Sequence, residues 1–167
     1  MHVRPAVLDD APSIATIYNA ASAATPAANL VTWQESVEDR KQWLAQMEKD
    51  DYPVYVAVDD DEIVGWAAYF QFVIPAIYYG TAEDSVYIAE SARGKGVGSE
   101  LMATLMDHAQ DNDYVQTMIT YIVDTNEASI ALHKKFGFVE TGRMPNIHTK
   151  DGVRLGLVHL QRDFDRS

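Results

Sequence analysis

The sequence predicts an α/β (α+β) protein: a mixed sheet with helices on its faces, in the order β-α-α-β-β-β-α-β-α-β-β. Three observations carry this. Apolar residues recur at helical spacing in four separate segments, short β-rich runs bounded by turn residues lie between them, and a glycine-rich loop joins one such run to a helix.

Residues 2–7 read as a first strand. Asp9 or Asp10 can cap a helix with Pro12 in its first turn and Ile14, Ile17, Tyr18 and Ala21 on one face. The stretch 22–32, rich in Ala, Pro and Asn, reads as an irregular loop. A second helix spans 37–49, with Trp43, Leu44 and Met47 as its buried candidates. Strands at 53–58 and 63–70 flank the Asp59-Asp60-Asp61 turn, a hairpin signal, and the acidic run 59–62 reads as solvated. An aromatic, irregular connection (72–80) leads to a short strand at 84–88. After the glycine loop, 98–110 places Leu101, Leu105, Met106 and Ala109 on one helical face. The run 114–123 is β-rich and looks buried on both faces. A helix at 126–136 ends at Gly137, and strands at 138–142 and 153–161 complete the order.

The 167 residues suit one domain, 1–167, long enough to bury a core without disulfides. There is no cysteine, hence no thiolate cluster and no cysteine nucleophile, in keeping with a reducing cytoplasm. Residues 1–5 carry no apolar signal core, and no stretch approaches the ~18 apolar residues that cross a bilayer. A net charge of −12 argues against nucleic-acid or anionic-membrane partners, because phosphate repels such a surface. His2, His108 and His148 show no metal spacing, so no metal is expected. An anionic ligand therefore needs a local positive pocket.

Arg93-Gly94-Lys95-Gly96-Val97-Gly98-Ser99 supplies one, between a strand and a helix. Glycines let the backbone approach a ligand closely, and the first-turn N–H groups of the helix form a phosphate or pyrophosphate site. Arg93 and Lys95 add charge. The spacing is neither that of a phosphate-transfer loop nor of a dinucleotide fingerprint. Alone, the segment also fits a flexible charged surface loop.

The loop and its flanks resemble the acyl-CoA pyrophosphate motif of the GNAT superfamily. The block Asn126-Glu127-Ala128-Ser129-Ile130-Ala131-Leu132-His133-Lys134-Lys135-Phe136-Gly137-Phe138 is similar to that superfamily's last helix and the Gly-Phe opening the next strand. Thr81-Ala82-Glu83-Asp84-Ser85-Val86-Tyr87 and 126–133 are most like the phosphinothricin and methionine sulfone acetyltransferase family, as are Tyr18-Asn19 and Gln161-Arg162-Asp163-Phe164. The likeness runs from about Val3 to Phe164. It implies the GNAT acyl-CoA N-acyltransferase fold with splayed central strands. It also implies acetyl-CoA as cosubstrate, its pantetheine arm on the backbone of Val86, Tyr87 and Ile88, its pyrophosphate on 94–99, and Asn126 bonded near the pantetheine. Acetyl transfer to the amine of a small amino-acid-like acceptor, in a cytoplasmic homodimer, follows as an expectation.

A protonated amine cannot attack a thioester, so a base must take its proton and the leaving thiolate should receive one. From the residues alone Glu83 reads as a solvated loop carboxylate beside Asp84; the resemblance reverses that and assigns it as the base. His133, where many superfamily members carry a tyrosine, is the second catalytic candidate, with a helix-face histidine packed by its ring edge as the alternative. Trp33, Phe72 and Tyr78, with Tyr79, lie in segments that form the family's acceptor pocket; on periodicity they fit core or dimer contacts as well. The family's Lys-x-Gly-x-Trp-x-Asp is here Lys150-Asp151-Gly152-Val153-Arg154-Leu155-Gly156, so Arg154 and Gly156 replace its tryptophan and aspartate. Arg154 suits an acceptor carboxylate. Acetylation of a peptide N-terminus or a polyamine, and an idle CoA-binding module, are the rival readings.

Overall fold

The computed structural model describes residues 1–24, 33–74 and 76–166. Strand β1 (His2–Pro5) is followed by helices α1 (Ala11–Ala24) and α2 (Val37–Lys49), then β2 (Val54–Asp59), β3 (Glu62–Gln71) and β4 (Thr81–Ile88). Helix α3 (Val97–Asp111), β5 (Thr117–Val123), α4 (Glu127–Lys135), β6 (Val139–Lys150) and β7 (Val153–Asp163) complete the chain. The seven strands form one sheet in the order β1-β2-β3-β4-β5-β7-β6, with β4 and β5 parallel and the other pairs antiparallel.

Two apolar layers hold the helices to the sheet. Ile14, Ile17 and Tyr18 of α1 and Leu44 and Met47 of α2 pack on Val56, Val58, Trp66 and Ala68 of one face. Leu101, Leu105, Met106 and Ala109 of α3 bury the other face against Ala57, Ala67, Tyr69 and Ala82, with Ile130 and Leu132 of α4 beside them. Those helical stripes are the ones the spacing predicts. Ser36 starts α2 by accepting from the Asp39 N–H at 3.1 Å while Asp39 answers the Ser36 N–H at 2.8 Å, a reciprocal cap.

Several boundaries differ from the expectation for physical reasons. Asp10 does not cap α1; its carboxylate takes two hydrogen bonds from Arg4, at 2.7 and 2.8 Å, and one from the Val7 N–H. Residues 22–24 continue α1, and the remainder of the 22–32 loop, 25–32, lies outside the described residues. β5 begins at Thr117 and alternates between buried and half-buried positions, so it is not buried on both faces. β6 runs twelve residues instead of five, because irregularities between Glu140 and Gly142 and between Met144 and His148 let it stay paired with β7.

Only three rungs join β4 to β5: Thr81 with Thr117, Ala82 with Met118 and Glu83 with Ile119. Beyond Glu83 the two strands part, while β4 stays in register with β3 as far as Ile88 opposite Gly65. That fork positions everything that follows.

Candidate active site

A cavity of about 890 Å³ fills the fork. Its walls are Glu83 to Ile88 of β4, Thr120 to Val123 of β5, the turn into α3 and the start of α4. Along β4, the stretch past the fork keeps its backbone bonded to β3 on one edge and turns the other edge to the cavity. The ring of Tyr87 is held elsewhere: it stacks on Trp66 at 4.8 Å and meets Tyr18 edge-on at 5.1 Å. Arg40, buried and ion-paired with Glu35 at 2.6 Å, lies over Tyr18, Trp43 and Trp66. These contacts fix the strand from behind.

The glycine loop does what its sequence requires. Gly94 and Gly96 take positive φ values of 74° and 87°, and Gly96 is the N-cap of α3. The Ser99 and Glu100 N–H groups turn back to the Gly96 carbonyl at 2.9 and 3.1 Å, so the amides before them aim outward. Gly98 lets α3 approach α4, since a Cβ there would sit 3.2 Å from Leu132 Cδ2. Arg93, Gly94, Gly96, Val97, Gly98 and Ser99 all line the cavity; Lys95 does not. Lys135, which the 126–138 motif includes without assigning it a role, reaches across from α4 and donates to Ser99 Oγ at 3.0 Å. Asn126 lines the cavity too, but its side-chain oxygen caps α4 by accepting from the Ser129 N–H at 3.2 Å.

Strand alternation separates the two catalytic candidates. Ala82 and Asp84 face α3 and α4; Glu83, like Tyr87, faces the side of α1 and α2. Glu83 stands on the last rung of the fork. Burial pushes its carboxyl up to about 7, with the neighbouring Asp84 charge adding to the rise. His133 is 2 % exposed, and both ring nitrogens are engaged: Nδ1 lies 2.7 Å from the Ser129 carbonyl and Nε2 lies 2.9 Å from Asp84 Oδ2. Burial works against a charged imidazole here, but the Asp84 charge and hydrogen bond, with the Ser129 carbonyl, outweigh it and hold His133 above its ordinary value.

The four acceptor candidates are not brought to this cavity. Trp33 is exposed, and Phe72 is buried against Tyr121, 6.0 Å between rings, with Tyr78 edge-on to it at 4.9 Å. Only Tyr121 of that group lines the cavity. Arg154 donates to the Asn146 carbonyl within its own β6–β7 hairpin. Lys150 is buried and donates to the Ser22 carbonyl at 2.7 Å, tying the hairpin to α1. Gly156 is explained by its neighbours, since a Cβ would stand 2.5 Å from Asp124 Oδ2 and 2.9 Å from the Met144 carbonyl.

Sequence reasoning missed Asp84, Lys135, Arg40 and Tyr121. A signal existed for Asp84 alone, as a second carboxylate beside Glu83 in the cofactor-strand motif.

A family model described as the acetyltransferase (GNAT) family matches residues 14–138. The chain belongs to that family. An L-methionine sulfoximine/L-methionine sulfone acetyltransferase of Pseudomonas aeruginosa is 35 % identical, covering 98 % of this chain and 94 % of that protein. Among solved GNAT-type structures, a ribosomal-protein-alanine N-acetyltransferase from Brucella melitensis shares 35 % identity with a TM-score of 0.92, over 98 % of this chain and 100 % of that one. A GNAT phosphinothricin acetyltransferase from Sinorhizobium meliloti, in complex with AcCoA, shares 29 % identity with a TM-score of 0.93, over 99 % and 89 %. The protein is thus a GNAT N-acetyltransferase with the mixed α/β fold its motifs imply.

Proposed function

We propose that this chain transfers the acetyl group of acetyl-CoA directly to the amine of a small amino-acid-like acceptor, of the methionine sulfone, methionine sulfoximine or phosphinothricin kind. The observation that carries the reading is the fork between β4 and β5, with a glycine-turned helix N-terminus at one end of its cavity and, on its last rung, a half-buried carboxylate pushed up to about 7. Acetyl-CoA supplies an activated thioester; the chain supplies the rest. The cavity-facing backbone of Val86, Tyr87 and Ile88 is placed to pair with an extended amide-bearing arm, and the turn from Arg93 to Ser99, with Lys135, receives a pyrophosphate. Glu83, poised near neutral pH, takes the proton from the incoming amine. His133, on the opposite face of β4, is the proton source for the leaving thiolate.

The small-acceptor reading is favoured by the kinship with the methionine sulfone enzyme and by Tyr121, which lines the cavity with Glu83 and is backed by the Phe72 ring. The Brucella relative favours a second reading, acetylation of a protein N-terminus. Thiol release from acetyl-CoA, measured across amino acids, methionine sulfone, phosphinothricin, polyamines and peptides, separates them. Amino-acid-dependent release is expected; release with peptides alone would move the assignment, and acetyl-CoA binding without any acceptor-dependent release would reduce the chain to an idle CoA-binding module.

The same proposal takes the chain as one domain, 1–167, working without a metal in a cytoplasmic homodimer. Among the described residues no group of three metal-ligating side chains converges. Val139, Ile147 and Val153 expose apolar surface along the β6–β7 hairpin, which a second copy could cover. Sedimentation velocity at micromolar concentration tests the dimer: a monomeric boundary would refute it.

A further inference from the structure

We propose that Asp84 is a positioning residue that keeps His133 as an imidazolium and so makes the Nε2 proton available to the sulfur that leaves at the fork. This rests on the acetyl-transfer reading above and adds a residue to it. A carbonyl and a carboxylate can only accept, so the Ser129 oxygen fixes a proton on Nδ1 and Asp84 fixes one on Nε2. His133 and Asp84 are 2 % and 4 % exposed, and both line the cavity. Asp84 is also the first β4 residue past the last β4–β5 rung. Its bond to His133 therefore ties β4 to the helix that follows β5 at the point where the strands part.

The remaining Asp84 oxygen, Oδ1, is buried with no hydrogen-bond partner among the described residues. Burying a carboxylate costs several kcal/mol, and an unanswered oxygen adds to that, so a strut alone would be better made from apolar side chains. Among the described residues, few groups face the His133 ring. β4 contributes Asp84, the residue before β6 contributes the Phe138 ring edge-on at 5.2 Å, and α4 itself contributes Ser129. Lys134 and Lys135 of α4 are turned to Glu140 and Ser99. Glu83 points to the other face of β4.

Charge order gives the pair its use. The base must be ionised while the acid is protonated. Burial lifts the Glu83 carboxyl into the range of an ordinary histidine, so an ionised base beside a protonated acid requires that His133 be lifted as well. Asp84 lifts it. In the step itself the amine nitrogen forms the C–N bond as the C–S bond breaks. The amine proton passes to Glu83, and the Nε2 proton leaves its bond to Asp84 Oδ2 and passes to sulfur. Neutral His133 is then left beside the Asp84 carboxylate and regains a proton from solvent, while Glu83 releases one.

The test begins with the unmodified protein. Nitrogen-15 NMR of the imidazole, assigned by its loss in His133→Gln, is expected to show both ring nitrogens protonated at neutral pH and a titration midpoint above 6.5. A neutral ring at pH 7 would overturn the proposal whatever the activity. In Asp84→Asn the midpoint should fall by at least one pH unit. The basic limb of the kcat profile should move down with it, kcat near pH 8 should drop about 10- to 100-fold, and the KM for acetyl-CoA should stay within about threefold. Asp84→Glu should restore part of the basic limb. An Asp84→Asn enzyme with the parent's pH profile would refute the role while leaving acetyl transfer standing. Absence of acetyl transfer in the parent, with the NMR signature present, would refute the function and leave the Asp84–His133 pair.

Discussion

The two ends of the fork are built differently. Toward α3 the site is made of backbone: two left-handed glycines, the first amides of a helix, and a strand edge released from its neighbour. Beside Glu83 the wall is a side chain, Tyr121, stacked on Phe72, which itself stands outside the cavity. Backbone geometry suits a ligand part that never varies, whereas side chains on a loop set specificity and change with it. The backbone end is fixed by local sequence, and the side-chain end by which segments meet.

Substitutions can break or sharpen this contrast. The largest effect is expected at the rung between the two ends. Glu83→Gln should lower kcat/KM roughly 10²- to 10⁴-fold, and in the parent kcat/KM should rise with pH through about 7. The same change should alter stability in a defined direction. The folded state raises the Glu83 carboxyl from 4.5 to about 7, so it holds that proton more tightly than the unfolded chain, and stability declines as pH rises between those values. Glu83→Gln should therefore stabilise by about 1–2 kcal/mol near pH 8, a figure reduced for partial exposure, and by nothing below pH 4.5. Urea denaturation at both pH values reads it; equal shifts would remove the buried-carboxylate account.

Next in size is the backbone end itself. Gly96→Asp forces a side chain onto a backbone φ of 87° and sets a negative charge at the helix N-terminus facing the cavity. Acetyl-CoA affinity by calorimetry should fall at least about tenfold; undiminished affinity would sink the loop assignment. Lys135→Ala should raise the KM for acetyl-CoA roughly three- to tenfold, more at low salt, leaving kcat alone. A change in kcat instead would place Lys135 nearer the reacting atoms than its bond to Ser99 suggests. The smallest effect should come from Arg154→Ala. Its guanidinium is spent on Asn146 of the same hairpin, so acceptor KM values should stay within about twofold. A larger change would extend the side-chain end to the β6–β7 hairpin.

The particular residues show what kinds of information a chain carries openly. α2 is legible to the residue because its reciprocal cap and apolar stripe are local, and the same holds for the α3 face. The length of β6 is not, because pairing with β7 across two irregularities sustains it and no residue of β6 signals that by itself. Arg40 reads as one more charged position on an amphipathic helix; only the meeting of α1, α2 and β3 surrounds it with Tyr18, Trp43 and Trp66.

By itself the sequence determined the element order, the helical faces, the glycine turn and the family, since all of these depend on neighbours a few residues apart or on motifs read in line. The motifs implied that two central strands splay; tertiary structure alone decided that they part after Glu83, that Asp84 meets His133 49 residues further on, and that Arg154 turns away from the cavity. Strand alternation then put Glu83 and His133 on opposite faces of one strand. Such contacts depend on long-range pairing and burial, which no local pattern encodes.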